Sequence, residues 1–259
     1  MSKTSAEILK LENVVTYVNR HTPNENMILR HLDLTIHRGD FITVLGTNGA
    51  GKSTLFNVIA GTLPLDEGRI QHLGHDLNKV SPERRANFIA RVFQDPKLGT
   101  APRMTVSENL LLASKRGQRR TLRPRELKQH QAAFRETLAT MGDGLEDHLD
   151  TATENLSGGQ RQALSFLMAT QQRPDLLLLD EHTAALDPKT SEQLMKQTNE
   201  TITKQQLTCL MITHHLDDAL KYGNRLIVLN AGVITLDVSG AEKQALTKTK
   251  LLEFFGNIE

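Results

Sequence analysis

Gly46-Thr47-Asn48-Gly49-Ala50-Gly51-Lys52-Ser53-Thr54 has the residue types and spacing of a phosphate cradle. Its glycines let backbone N–H groups approach an anion with no Cβ in the way. Amides of Asn48, Gly49, Ala50, Gly51, Lys52, Ser53 and Thr54 are expected to gather around a β-phosphate. Lys52 would reach the β- and γ-phosphates, and the Ser53 hydroxyl would take one Mg²⁺ position. The flanks fit this chemistry. Phe41-Ile42-Thr43-Val44-Leu45 is a short apolar run suited to a buried parallel strand. Leu55, Phe56, Val58 and Ile59 then recur at helical spacing. Strand, glycine turn and helix is the setting of a Walker A match to GxxxxGKS, with the helix N-terminus adding partial positive charge. A chance match in a glycine-bearing turn is the plainer reading, and the flanking pattern argues against it.

Acidic partners stand further along. Asp175-Leu176-Leu177-Leu178-Leu179-Asp180-Glu181 reads as a strand buried on both faces, too short for a membrane span, with carboxylates at its C-terminal end. Ligands collect at that end of open α/β sheets. Asp180 would hold Mg²⁺ through its shell, while Glu181, one residue on, would polarise the attacking water. Taken alone, two acids there could equally cap a helix or a turn.

Between these motifs lies Leu156-Ser157-Gly158-Gly159-Gln160. Ser157 can N-cap a helix carrying Ala163, Leu164, Leu167 and Met168 on one face, leaving the Gly158 and Gly159 amides for an anion. Walker A loop, pentapeptide and acidic strand end, in that order from about residue 8 to 240, resemble the ATP-binding subunit of an ABC transporter. The pentapeptide matches that family's signature without a substitution.

The resemblance implies further roles. Ser157, Gly158, Gly159 and Gln160 would grip the γ-phosphate of an ATP held by a second subunit. Gln94, in Val92-Phe93-Gln94-Asp95-Pro96, matches the glutamine loop, which contacts Mg²⁺ or water. His214 matches the switch histidine that bonds the γ-phosphate, although the adjacent His215 leaves the register open. Asp187 matches the loop that crosses the dimer interface, and can also cap the helix beginning at Pro188. Tyr17 is the candidate for stacking on adenine, or else a strand tyrosine packed on the sheet. His182 and Ala184 depart from the family's commonest residues, Pro and Ser. Phe93–Thr100 and Asp180–Pro188 are similar to one bacterial subgroup described as amino-acid importers, including tryptophan or tyrosine systems.

The implied fold is α/β: a P-loop NTPase core with a mostly parallel sheet, an N-terminal antiparallel β subdomain and an inserted helical subdomain. Residues 1–94 and 157–240 are expected to form the core, 95–156 the helical lobe, and 241–259 a helical tail. Strands are expected near 8–17 and 28–36, where Leu32, Leu34 and Ile36 alternate with Asp33 and Thr35, and again at 176–180, 208–213, 225–230 and 233–238. Thr105-Val106-Ser107-Glu108 is a capping box. One helix is expected over 243–256.

Composition agrees with a cytosolic ATPase of one large domain. No apolar run approaches a bilayer span, and the N-terminus lacks a secretory signal. The single cysteine, Cys209, falls in a core strand and is expected to be an inert buried thiol. With 31 basic and 30 acidic residues the net charge is +1, which provides no field for nucleic acid, so none is expected as a partner. Lys115, Arg116, Arg119, Arg120, Arg123, Arg125 and Lys128 form a local basic run. It reads as a solvated helix face or as a contact with a membrane subunit or anionic lipid.

The resemblance therefore implies ATP and Mg²⁺ as cofactors and a second copy or paired ATPase subunit. It also implies a membrane permease, an extracytoplasmic substrate-binding protein, and a place on the cytoplasmic face of the membrane. Two other classes remain open. A soluble relative acting on nucleic acid or ribosomes usually carries a coiled-coil insertion or linked halves, and a small-molecule kinase would have no use for the pentapeptide.

Overall fold

The computed structural model describes residues 6–118 and 126–256. In chain order the elements are β1 (Glu7–Val18), β2 (Asn26–His37), β3 (Phe41–Leu45), α1 (Lys52–Ala60), β4 (Glu67–His72), β5 (His75–Asp76), α2 (Pro82–Arg85) and β6 (Ile89–Val92). There follow α3 (Val106–Ser114), α4 (Leu127–Ala139), α5 (Gly158–Thr170), β7 (Leu176–Asp180), α6 (Pro188–Gln205), β8 (Cys209–Ile212), α7 (Leu216–Lys221), β9 (Arg225–Asn230), β10 (Val233–Ser239), α8 (Gly240–Gln244) and α9 (Lys248–Gly256). The chain divides into two compact units, Met1–Arg85 with Leu207–Glu259, and Ala86–Gln206.

The first unit holds a four-stranded antiparallel sheet in the order β2-β1-β4-β5. Leu32, Leu34 and Ile36 are buried while Asp33 is exposed, so the period-two pattern of β2 reports its one wet face. A second set of strands runs β10-β9-β3-β8, with β3 parallel to β8 and β9, and β10 antiparallel to β9. Every residue of β3 and of β8 is buried, which explains their largely apolar sequences, and the one hydroxyl of β3, on Thr43, donates to the Ala219 carbonyl at 3.2 Å. Cys209 is fully buried and burial pushes its thiol well above the usual range, as expected of an inert core cysteine.

α1 is closed at its far end by Arg85. The guanidinium donates to the carbonyls of Val58 at 2.8 Å and Ile59 at 2.9 Å, and also to Leu77 at 2.6 Å and Val80 at 3.1 Å. A cation at the carbonyl end of a helix supplements the C-cap, where the Val58 carbonyl also accepts from the Gly61 N–H at 3.2 Å, and complements the helix dipole. Between β9 and β10, Ala231 and Gly232 have φ of 44° and 84°, the left-handed pair of a tight hairpin turn.

In the second unit β6 and β7 pair in parallel, from Ile89 opposite Leu176 to Val92 opposite Leu179. Among the described residues from 95 to 155 there is no strand. The Thr105 capping box forms, with the hydroxyl accepting from the Glu108 N–H and the Glu108 carboxylate accepting from the Thr105 N–H.

Several expectations need correction. The C-terminal helix expected over 243–256 is two helices, because Thr247 accepts from the Lys250 N–H and starts α9 anew. Lys243 is turned inward, donating to the carbonyls of Tyr222 and of Gly223, the latter at 2.8 Å, and burial lowers its pKa to about 8. α5 does not bury a single face. Gln162, Ser165, Phe166 and Ala169 are buried along with Ala163, Leu164 and Leu167, while Met168 is only partly covered. In the basic run, Arg116 is partly buried and turned inward, its guanidinium donating to the Ala169 carbonyl at 3.1 Å and to the Gln172 carbonyl. Lys115 and Lys128 are exposed, and Arg119, Arg120, Arg123 and Arg125 lie outside the described residues.

Candidate nucleotide site

The phosphate loop of the first unit leaves β3 at Leu45 and enters α1 at Lys52. Gly51 caps this helix with φ 102°, a conformation that strains any side-chain-bearing residue. Lys52 is buried, and its ammonium donates to the Gly46 carbonyl at 2.8 Å and the Thr47 carbonyl at 3.0 Å. It thereby spans the loop from inside. Thr47, Asn48, Gly49 and Ser53 are exposed, whereas Ala50, Gly51 and Lys52, also expected at the phosphates, are buried.

The loop is held from behind by the β9–β10 turn. The Gly232 N–H donates to the Ala50 carbonyl at 3.0 Å, and the Gly232 carbonyl accepts from the Arg30 N–H at 3.0 Å. A Cβ on Gly232 would stand 2.0 Å from the Ile28 carbonyl oxygen, so only glycine allows this approach.

His214 follows β8, whose C-terminal end lies beside that of β3, with the Thr213 N–H donating to the Val44 carbonyl at 3.3 Å. Parallel pairing thus puts His214 and the phosphate loop at the same edge of the strands. His214 is exposed, and His215 becomes the N-cap residue of α7. Tyr17 lies near the end of β1, half-buried, with the Arg20 guanidinium 5.3 Å from its ring centroid. Asp66 holds this arrangement, accepting from the Tyr17 N–H at 2.7 Å and pairing with Arg20.

In the second unit, Asp180 ends β7 and pairs with Arg91 of β6 at 2.5 Å. Glu181 follows with φ 47°, a left-handed conformation that a residue with a side chain adopts only at a cost of order 1 kcal/mol. The strain is absorbed in a turn closed by the Ala184 N–H to the Glu181 carbonyl at 3.0 Å. His182 is buried against α6, its Nε2 3.2 Å from the Thr198 hydroxyl, and burial lowers its pKa to about 4. Gln94 is exposed. The Phe93 carbonyl that precedes it accepts from the Gln162 side chain at 2.9 Å.

The signature residues form a capped helix start. The Ser157 hydroxyl accepts from the Gln160 N–H, and the Gln160 side chain accepts from the Ser157 N–H, both at 3.2 Å. Asp187 caps α6 by accepting from the Thr190 N–H at 3.1 Å, and the Thr190 hydroxyl and N–H hold its carboxyl below the usual range. Both caps border one cavity of about 450 Å³, lined by Ser157, Gly158, Gly159, Asp187 and Thr190 among others. Burial raises the pKa of Asp143 on its wall. Gln160, expected at the phosphate, is engaged in the capping box and donates to the Asp143 carbonyl at 3.3 Å.

Asn230-Ala231-Gly232 reads as a turn in the sequence, but the roles of Arg91 and Gln162 and the contact of Gly232 with the phosphate loop do not. Arg91 alone left a signal, a charge inside an apolar strand. The partners of Gln162 and Gly232 are distant in sequence and left none.

Comparison with known proteins agrees with this layout. The profile of the family described as ABC transporter matches residues 29–184. A tyrosine transport ATP-binding protein of Clostridioides difficile is 40% identical over 248 residues, covering 96% of this chain and 98% of that protein. The spermidine/putrescine import ATP-binding protein PotA of Haemophilus ducreyi is 34% identical, covering 97% of this chain, which spans only 63% of that relative's length. Among solved structures, the ATP-binding cassette MJ0796 bound to ADP and Pi superposes with a TM-score of 0.76 at 26% identity, covering 90% of this chain and 98% of that one. An ADP-conformation cassette, MJ1267, gives 0.75 at 29% identity, covering 96% and 98%.

Proposed function

The chain belongs to the ABC transporter family, as an ATP-binding subunit with the α/β P-loop NTPase fold of its cassettes, and we propose that it hydrolyses ATP to drive an importer. Two copies would face each other head to tail. In each site Lys52, Ser53 and the loop amides of 48–54 would hold the triphosphate of one copy. Ser157, Gly158, Gly159, Gln160 and Asp187 of the other would close on its γ-phosphate. Tyr17 would stack on adenine. His214 would bond the γ-phosphate, and Glu181 would polarise the attacking water, with Gln94 ordering it.

Mg²⁺ fits the donors present. Among the described residues no group of three or more His, Cys, Asp or Glu is placed to hold a metal. The Ser53 hydroxyl, the Asp180 carboxylate and the Gln94 amide oxygen are hard donors suited to an ion that keeps most of its shell as phosphate and water. When bound, Mg²⁺ would neutralise charge developing on the phosphates.

One observation carries the reading: the helix start at Ser157 is capped and opens on a cavity with the Asp187 turn, in a chain that already has its own phosphate loop. A phosphate-receiving end of that kind is of use to a second nucleotide-bearing copy. Closing a pair from 1:99 to 99:1 takes about 5.5 kcal/mol of differential binding, a quantity two triphosphates that gain partners only on closure can supply.

The relatives' names support import, and the tyrosine transport protein supports an amino acid as cargo. A permease would carry that cargo and hold this subunit at the cytoplasmic face of the membrane, with a substrate-binding protein delivering it. No helix among the described residues is long and apolar enough to cross a membrane. The deciding experiment is cysteine crosslinking between positions 49 and 158 of separate copies. ATP-dependent crosslinks are expected, and their absence in saturating nucleotide would end the shared-site reading.

A further inference from the structure

Arg91 is the one charged residue of β6, Ile89-Ala90-Arg91-Val92. Its Nη2 donates to Oδ2 of Asp180 at 2.5 Å, and its guanidinium carbon sits 4.7 Å from the centroid of the Phe93 ring. Successive side chains on a strand alternate in direction, so Arg91 and Phe93 share a face, and the ring lies within cation–π range of the guanidinium. The two side chains of the ion pair are 12% and 13% exposed. Charges that far withdrawn from water interact more strongly than an exposed pair of the same length.

We propose that Arg91 is a positioning residue that competes with Mg²⁺ for Asp180 and so sets how strongly the metal favours nucleotide binding. The inference rests on the reading of Asp180 as the metal carboxylate. Three physical terms point the same way. Oδ2 already accepts from the guanidinium, so a hydrated metal at this carboxylate would have to share or displace that contact. The positive charge of Arg91 opposes a divalent ion at the same carboxylate. The Phe93 ring resists a swing of the guanidinium out of the way. Arg91 therefore keeps an anionic strand end satisfied when no metal is near, and that same contact raises the metal concentration needed to displace it.

The test uses the full chain and a non-hydrolysable ATP analogue, with affinity measured by calorimetry in excess Mg²⁺ and in a chelator. The ratio of the two affinities is the metal's contribution, free of any turnover. Arg91→Met is expected to raise that ratio about three- to tenfold, and Arg91→Gln likewise, since both remove the charge. Arg91→Lys, which keeps it, should stay within about twofold of the parent. Asp180→Asn should collapse the ratio. If Asp180→Asn collapses it while Arg91→Met and Arg91→Gln leave it unchanged or lower it, Arg91 does not compete for the metal, and the role of Asp180 survives. If Asp180→Asn keeps the parental ratio, Asp180 is not the metal carboxylate and the inference falls with it.

Discussion

Gln162 and Phe93 are joined by a partly buried hydrogen bond, in which the side-chain amide on α5 donates to the carbonyl just before Gln94 at 2.9 Å. Gln162 is 1% exposed, so water does not compete for that carbonyl from its side. The helix that starts with the signature residues and the loop that carries Gln94 are thus directly bonded. Gln162→Leu removes the donor and leaves a carbonyl short of its partner, at a cost of about 1–3 kcal/mol. A thermal melt should show the loss as a fall of about 2–10 °C. Nucleotide affinity should stay within about twofold while hydrolysis drops about three- to tenfold, the size of effect expected when a coupling contact is cut. Unchanged hydrolysis would separate this bond from function.

Lys52→Ala removes the ammonium that spans the phosphate loop. A charge-assisted contact to phosphate contributes about 1.5–3 kcal/mol, so ATP affinity should fall about 10- to 100-fold by calorimetry. Parental affinity would contradict the loop's role.

Glu181→Gln keeps shape and hydrogen bonding but removes the base. Hydrolysis should fall by about a hundredfold or more. Size-exclusion chromatography with ATP should show a dimer that persists. A variant turning over at the parental rate would exclude Glu181 as the group that activates water.

The β9–β10 turn yields a pair of opposite sign. Gly232→Ala forces a Cβ to within 2.0 Å of the Ile28 oxygen at φ 84°, and should destabilise by about 2–3 kcal/mol with weaker nucleotide binding. Ala231→Gly relieves a left-handed alanine at φ 44° and should stabilise by up to about 1 kcal/mol. Urea denaturation of both variants measures the two signs together.

His182 makes stability depend on pH. The unfolded chain takes up the imidazole proton near pH 6.5, whereas burial holds the folded group's pKa at about 4. Below pH 6.5 the unfolded state therefore binds more protons, and stability falls as pH drops until both forms are protonated near 4. The loss is at most about 3 kcal/mol and is absent above the upper limit. His182→Gln should flatten this part of the curve in urea titrations between pH 4.5 and 7, limits set at about the two pKa values. An equal slope in parent and variant would place the titration elsewhere.

Local chemistry was legible where neighbours in sequence decide the structure. The strand, glycine turn and helix around Lys52, the Thr105 and Ser157 caps and the left-handed turn at Gly232 all follow from residues a few positions apart. The alternation in β2 and the unbroken apolar run of β7 likewise announced which faces are covered. β4 gave no such signal. Its Glu67-Gly68-Arg69 start is polar, and it is a strand because it pairs with β1 across Leu9 and His72. Arg116 read as a member of a basic run, yet carbonyls at the end of α5, more than fifty positions on, draw its guanidinium inward. The difference is one of range: turn and cap geometry is set within a few residues, whereas a long side chain's destination depends on which elements the fold brings beside it.

The ammonium of Lys52, lodged between two carbonyls of its own loop, couples the cation to the backbone around it. Residues 46 and 47 lie ahead of the helix and Lys52 within its first turn, so the side chain ties the strand exit to the helix start across the bend. Any substitution that shifts the path of residues 46 and 47 would move the positive charge as well as the amides, and would weaken both kinds of anion contact together.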